Sequence, residues 1–137
     1  MTLTNLAIGG AFGALVLLLY IKAPVKALAL NGYVCLAMML MIYVGAHLAS
    51  EDYTRLVYET GFSIVVLCVA GWCRKHWPLG IAFLILGHGA YDFFHGHDAG
   101  VMEWYPAVCV GFDVVVGVGL LLLMLGQRKQ LSAANKL

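Results

Sequence analysis

The segment Gly87-His88-Gly89-Ala90-Tyr91-Asp92-Phe93-Phe94-His95 places histidine, aspartate and histidine at i, i+4 and i+7. On an α-helix that spacing projects all three within roughly 60° of one face, as a polar stripe on an otherwise apolar segment. Imidazole nitrogens with carboxylate oxygens suit a divalent metal such as zinc, iron or manganese, and do not suit a thiolate-loving ion. One ion cannot take all three side chains. Positions 88 and 95 lie about 10 Å apart along a helix axis, whereas metal–ligand bonds are about 2 Å. Either Asp92 with His95 at i, i+3, or His88 with Asp92 at i, i+4, is the expected pair. Asp113 and Glu59 are expected to add oxygens from neighbouring helices, and His47 a further nitrogen.

The elements that must position these groups follow from composition. The chain has 137 residues, 63% of them hydrophobic and 11% charged. An ordinary soluble domain has about 45–50% apolar and about 25% charged residues, and a chain this short cannot hide the surplus in one core. Apolar runs near 3–21, 25–49, 55–73, 78–95 and 105–126 are expected to be long enough to cross about 30 Å of hydrocarbon. We therefore expect an all-α fold: a single transmembrane domain over residues 1–137, an integral membrane bundle of five helices. Period-two alternation is absent, which excludes a membrane barrel. Pro24, Pro78 and Pro106 sit at helix beginnings, where a missing N–H costs least. Met1 to Asn5 has no basic residue, so the first span is expected to be a permanent helix, not a cleaved signal.

Lys22, Lys26, Arg74, Lys75, Arg128, Lys129 and Lys136, seven of the eight Lys and Arg residues, fall on one side of this arrangement. The positive-inside rule makes that side cytoplasmic, with the N-terminus outside and the C-terminus inside. All seven acids, Glu51, Asp52, Glu59, Asp92, Asp98, Glu103 and Asp113, then belong to the outer half. Asp113, Glu59 and His88 would each lie about 9–11 Å inside the outer ends of their helices, with His47 nearer its own end. Ionisable groups within spans are costly and usually face the bundle interior, so one shared site is expected.

The remaining features carry less chemistry. A lone intramembrane His or Asp commonly closes an interhelical hydrogen bond, and His88 bonded to Asp113 would serve as such glue. His97, Asp98 and Glu103 are expected in a solvated outer loop, and His76 beside Arg74 and Lys75 at the opposite interface. Cys35, Cys68, Cys73 and Cys109 lack metal-binding or disulfide spacing and are expected to behave as buried small hydrophobes. Trp72, Trp77, Trp104, Tyr53, Tyr58 and Tyr105 fall near span ends, as an aromatic belt does. Met38, Met39 and Met41 cannot share one helix face, which argues against a copper-type methionine site. Tyr43 and Tyr91 are candidate hydrogen-bond donors beside the site. Gly9 with Gly13, and Gly111, Gly117 and Gly119, allow close helix approach. They serve either packing inside the chain or a homo-oligomer formed through the Gly9/Gly13 or Gly117/Gly119 faces.

Two segments, the one spanning Gly87 to His95 and Trp104-Tyr105-Pro106-Ala107-Val108-Cys109-Val110-Gly111-Phe112-Asp113, resemble a family of small bacterial multi-helix membrane proteins of unassigned function. The resemblance covers about residues 80–120, implies a bacterial inner-membrane location, and picks out His88, Asp92, His95 and Asp113. A looser likeness is to membrane hydrolases of the alkaline ceramidase and adiponectin-receptor type, which hold zinc with histidines and an aspartate among their helices. Those have seven spans and a different ligand spacing, so the likeness is one of chemistry alone.

The expected function is that of a multi-pass protein with a divalent-metal site in its outer half, acting as a metal-dependent enzyme on a lipid-like substrate. Hydrolysis comes first, with Asp113 or Glu59 as general base. An oxygen-activating iron centre with two histidines and a carboxylate is the second version. The alternatives are a carrier or proton and metal pathway, or a helical subunit whose His/Asp cluster only makes hydrogen bonds. The inner halves of the helices carry few polar groups, which argues against a through-pathway. A net charge of +1 and the absence of phosphate loops or nucleotide fingerprints leave no reason to expect nucleic acid or nucleotide.

Overall fold

A computed structural model describes residues 1–96 and 100–134, with side chains followed as far as Gln127. His97 and Asp98, and the side chains of Arg128, Lys129 and Lys136, lie outside this description. All regular structure among the described residues is helical: α1 Leu3–Tyr20, α2 Val25–Ala49, α3 Tyr53–His76, α4 Leu79–His95 and α5 Tyr105–Ala134. Four of these, α1, α2, α3 and α5, are long and apolar enough to cross a membrane. The fourth, α4, has 17 residues, about 25 Å at the helical rise.

Helix starts follow local chemistry. Thr2 accepts from the Asn5 amide at α1, and Asp52 accepts from the Arg55 amide at α3. Pro24 and Pro78 immediately precede α2 and α4, and Pro106 is the second residue of α5. Two ends differ from the sequence expectation. The third helix, whose apolar run was expected to end near 73, continues through Arg74 and Lys75 to His76, because cations in a last turn complement the helix dipole. The fifth helix also runs beyond residue 126 to Ala134.

The helices pack so that α5 lies between α1 and α4, while α4 also meets α2 and α3, and α2 packs on α3. Small residues set the closest approach. A Cβ at Gly9 would collide with the Val108 carbonyl, and one at Gly111 with the Leu6 carbonyl, so α1 and α5 touch backbone to backbone. Gly13 packs against Phe112 and Val116, Gly117 against Leu86, and Gly119 against Leu17. The glycine faces considered for a homo-oligomer are therefore occupied within the chain.

Leu28, Leu36, Leu40, Ile81, Ile85, Val116, Leu120 and Met124 form the core. The outside is apolar as well: Leu19 is 76% exposed and Phe94 73%, as expected where hydrocarbon replaces water around a bundle. Cys73 and Cys109 are buried and Cys35 partly so, but Cys68 is exposed among Ile64, Val65 and Trp72. A thiol behaves as a small hydrophobe, so an apolar exterior accepts it as readily as the core does. Tyr105 departs from the aromatic belt by turning inward, its ring edge-on to Tyr43 at 6.2 Å.

Candidate metal centre

The polar stripe on α4 faces inward over its first two members. His88 and Asp92, one turn apart, are both buried, while Asp113 projects from α5 and is fully buried. Gly89 permits the meeting, because a Cβ there would sit 2.9 Å from the Asp113 Cβ. Nδ1 of His88 lies 2.9 Å from Asp113 Oδ2 and 3.6 Å from Asp92 Oδ2. The Tyr43 hydroxyl on α2 donates to Asp92 Oδ1 at 2.6 Å. One nitrogen and two carboxylates from α4 and α5 thus offer ligand atoms within 4.8 Å of one another.

The donor set fits a divalent cation on two counts. With metal–ligand bonds of about 2.0–2.2 Å, ligand atoms sharing one ion stand about 3.0–3.6 Å apart; the two measured separations lie close to or at the edges of that range. Asp92 Oδ2, Asp113 Oδ1 and His88 Nε2 are buried without a hydrogen-bond partner among the described residues. Two carboxylates and one imidazole form an oxygen-rich set, compatible with manganese, iron or zinc.

The other candidates take different places. Glu59 is buried on α3 and accepts a hydrogen bond from the Tyr91 hydroxyl, but it is not in the close group. Tyr91 stacks on Phe62 at 5.3 Å and on His95 at 5.1 Å. His95 is exposed, so the Asp92–His95 pairing is not the one assembled; the i, i+4 pairing of His88 with Asp92 is. His47 is buried near the end of α2 with Nδ1 unpartnered, and its ring lies against Gly100, whose φ is +68°. It stands outside the close group, so the two-histidine set of an oxygen-activating iron centre is not formed among the described residues. Glu103 is exposed in the loop.

Two residues escaped the sequence reading. The role of Gly89 depends on an α5 side chain, so nothing local to it reveals that role. Ser63, buried with Oγ unpartnered, lies one turn from Glu59. That i, i+4 relation between two polar residues on an apolar helix was the available signal.

A cavity of about 210 Å³ between α2, α3 and α4 is lined by Leu40, Phe62, Val66, Leu84, Gly87, His88 and Tyr91. No family model, curated protein or solved structure matches this chain.

Proposed function

We propose that the chain is a five-span protein of the bacterial cytoplasmic membrane, N-terminus outside, that binds a divalent metal through His88, Asp92 and Asp113 and hydrolyses a lipid-like substrate. The location rests on the apolar exterior, on the basic residues between spans, and on the likeness of two segments to small bacterial membrane proteins. The metal rests on one observation: three buried ligand atoms from two helices converge, and among the described residues one of them, Asp92 Oδ2, and the neighbouring Asp113 Oδ1 lack hydrogen-bond partners. Two ionised carboxylates and a neutral imidazole carry two negative charges. A divalent ion cancels both, and burying unbalanced charge in a membrane interior is costly.

A divalent cation bound there would supply a water acidified towards neutrality, the usual source of a hydrolytic nucleophile. Asp113 keeps Oδ1 free to accept a proton. Glu59, held by the Tyr91 hydroxyl, is the second base, reached from the cavity side through Tyr91. Tyr43 fixes the Asp92 carboxylate through Oδ1 and leaves Oδ2 for the metal.

A second reading has its own observation. At 2.9 Å the His88–Asp113 contact is already a complete hydrogen bond, and a bond between helices in a membrane needs no metal to be worthwhile. Elemental analysis of the purified full chain separates the two. Near-stoichiometric zinc, iron or manganese is expected in wild type, falling at least about tenfold in His88→Ala, Asp92→Asn and Asp113→Asn, as lost ligands require. Wild-type protein without metal after growth in supplemented medium, or metal retained by all three variants, would leave only the hydrogen-bonding role.

A further inference from the structure

The consecutive helices α1 and α2 leave each other almost untouched. α1 packs along α5, α2 packs on α3 and α4, and the two barely meet. They are joined by the short turn between Tyr20 and Val25, which the Gln127 amide pins through the Ala23 carbonyl at 2.7 Å. Beyond that turn a cleft of about 500 Å³ separates them, floored by α5. It runs from Ile8 to Val16 on α1, from Ile42 to Cys35 on α2 and from Tyr105 to Phe112 on α5, which is about 10–12 Å along each helix at the helical rise.

The long axis of the cleft therefore follows the helices, and all three are long and apolar enough to cross a membrane. Phe12 and Met38, on its two rims, are 63% and 64% exposed, so it opens sideways to whatever surrounds the bundle. No charged side chain lines it; Tyr105, Cys35 and Cys109 are its most polar residues. Water is a poor filling, since an ordered water needs two to four polar partners, and an empty cleft forfeits dispersion contacts along every wall. A transmembrane helix is too wide. At about 10 Å across, 12 Å of helix takes about 900 Å³. Extended hydrocarbon fits: a chain of single bonds advances about 1.2 Å per bond, so about ten carbons span 12 Å and take about 300 Å³ at ~30 Å³ each. The cleft thus has room for roughly two such chains side by side.

We infer that the cleft between α1 and α2 holds the paired acyl chains of one diacyl phospholipid, taken sideways from the bilayer, with the headgroup at the Tyr105 end. There α5 begins and exposed Trp104 marks the interface. The inference rests on the membrane-spanning reading and is independent of the metal.

The full chain is reconstituted in dioleoyl phosphatidylcholine, returned to mild detergent and weighed by native mass spectrometry; one phospholipid per chain is expected to stay bound. Val16→Phe and Cys35→Phe put ring carbons into the cleft, each displacing at least about two methylenes worth about fourfold apiece in binding. Retained lipid should fall at least about tenfold in either variant, and the second serves where the first folds poorly. Leu19→Phe, on the exposed side of α1, should keep its lipid. Phosphatidylcholine added back to delipidated protein should raise the unfolding temperature of wild type and leave the filled variants unmoved, and single-chain lysophosphatidylcholine should restore less of that rise. Lipid-free wild type, equal loss in Leu19→Phe, lipid kept by a folded filling variant, full restoration by the single-chain lipid, or a lipid-free dimer that both fillings dissociate would each overturn the inference. Carbonate extraction of membranes carrying the full chain reports separately on the membrane reading: release of the protein would sink that reading, whereas protein that stays in the membrane and binds no lipid sinks this inference alone.

Discussion

The two oxygens of Asp92 are treated unequally, one tied to Tyr43 and the other facing Nδ1 of His88. Tyr43→Phe removes the hydroxyl that donates to Oδ1 while preserving ring packing. It should lower stability by about 1–3 kcal/mol, the cost of a buried acceptor left unpaired, read from the unfolding midpoint in detergent. Outer partners of metal ligands also tune affinity, so metal binding should weaken roughly 10–100-fold. An unchanged affinity would reduce Tyr43 to a packing residue. At this scale the sequence was legible in part: the i, i+4 relation of His88 and Asp92 announced a shared face. It could not say that His95 would be left outside. His95 keeps the angular face of His88 but sits about 10 Å further along the axis, at the last residue of α4, where it is exposed and stacks on Tyr91.

Between elements, the α4–α5 contact decides whether the ligands meet. Gly89→Ala places a methyl against Asp113 and should force the two helices apart. A drop in unfolding temperature together with loss of bound metal is expected. Gly45→Ala and Gly61→Ala, which meet nothing within 4 Å, should be neutral or stabilise by up to about 1 kcal/mol, since alanine is the better helix former. Equal behaviour of all three variants would deny Gly89 its positioning role. Helix number and most limits were legible because apolar length and proline placement are local properties, but the polar last turns of α3 and α5 were not. Which helices touch was not, because glycine spacing on α1 and α5 fits a partner inside the chain as well as one outside it.

For the molecule as a whole, the charge pattern carries the orientation proposal. Reporters fused after Lys26 and after Glu51 should fall on opposite sides, the first cytoplasmic and the second external; the reverse would undo the assignment of the acidic end to the outside. The five-helix bundle followed from composition, because a surface this apolar has few other solutions in a bilayer. The shared site was only partly visible, since depth along each helix can be counted from sequence but rotation about its axis cannot.

The packing of α1 on α5, with the Gln127 amide donating to the Ala23 carbonyl at 2.7 Å, has a consequence for biogenesis. During synthesis the first helix emerges long before the helix it must grip, so it waits in lipid with its small-residue seam uncovered. Such distant pairings are slow to form, and the ligand cluster, itself split between α4 and α5, arises in the same late step. Nascent chains halted before α5 should therefore leave α1 unpaired and available to insertion chaperones, and no earlier intermediate on the ribosome has all three members of the cluster.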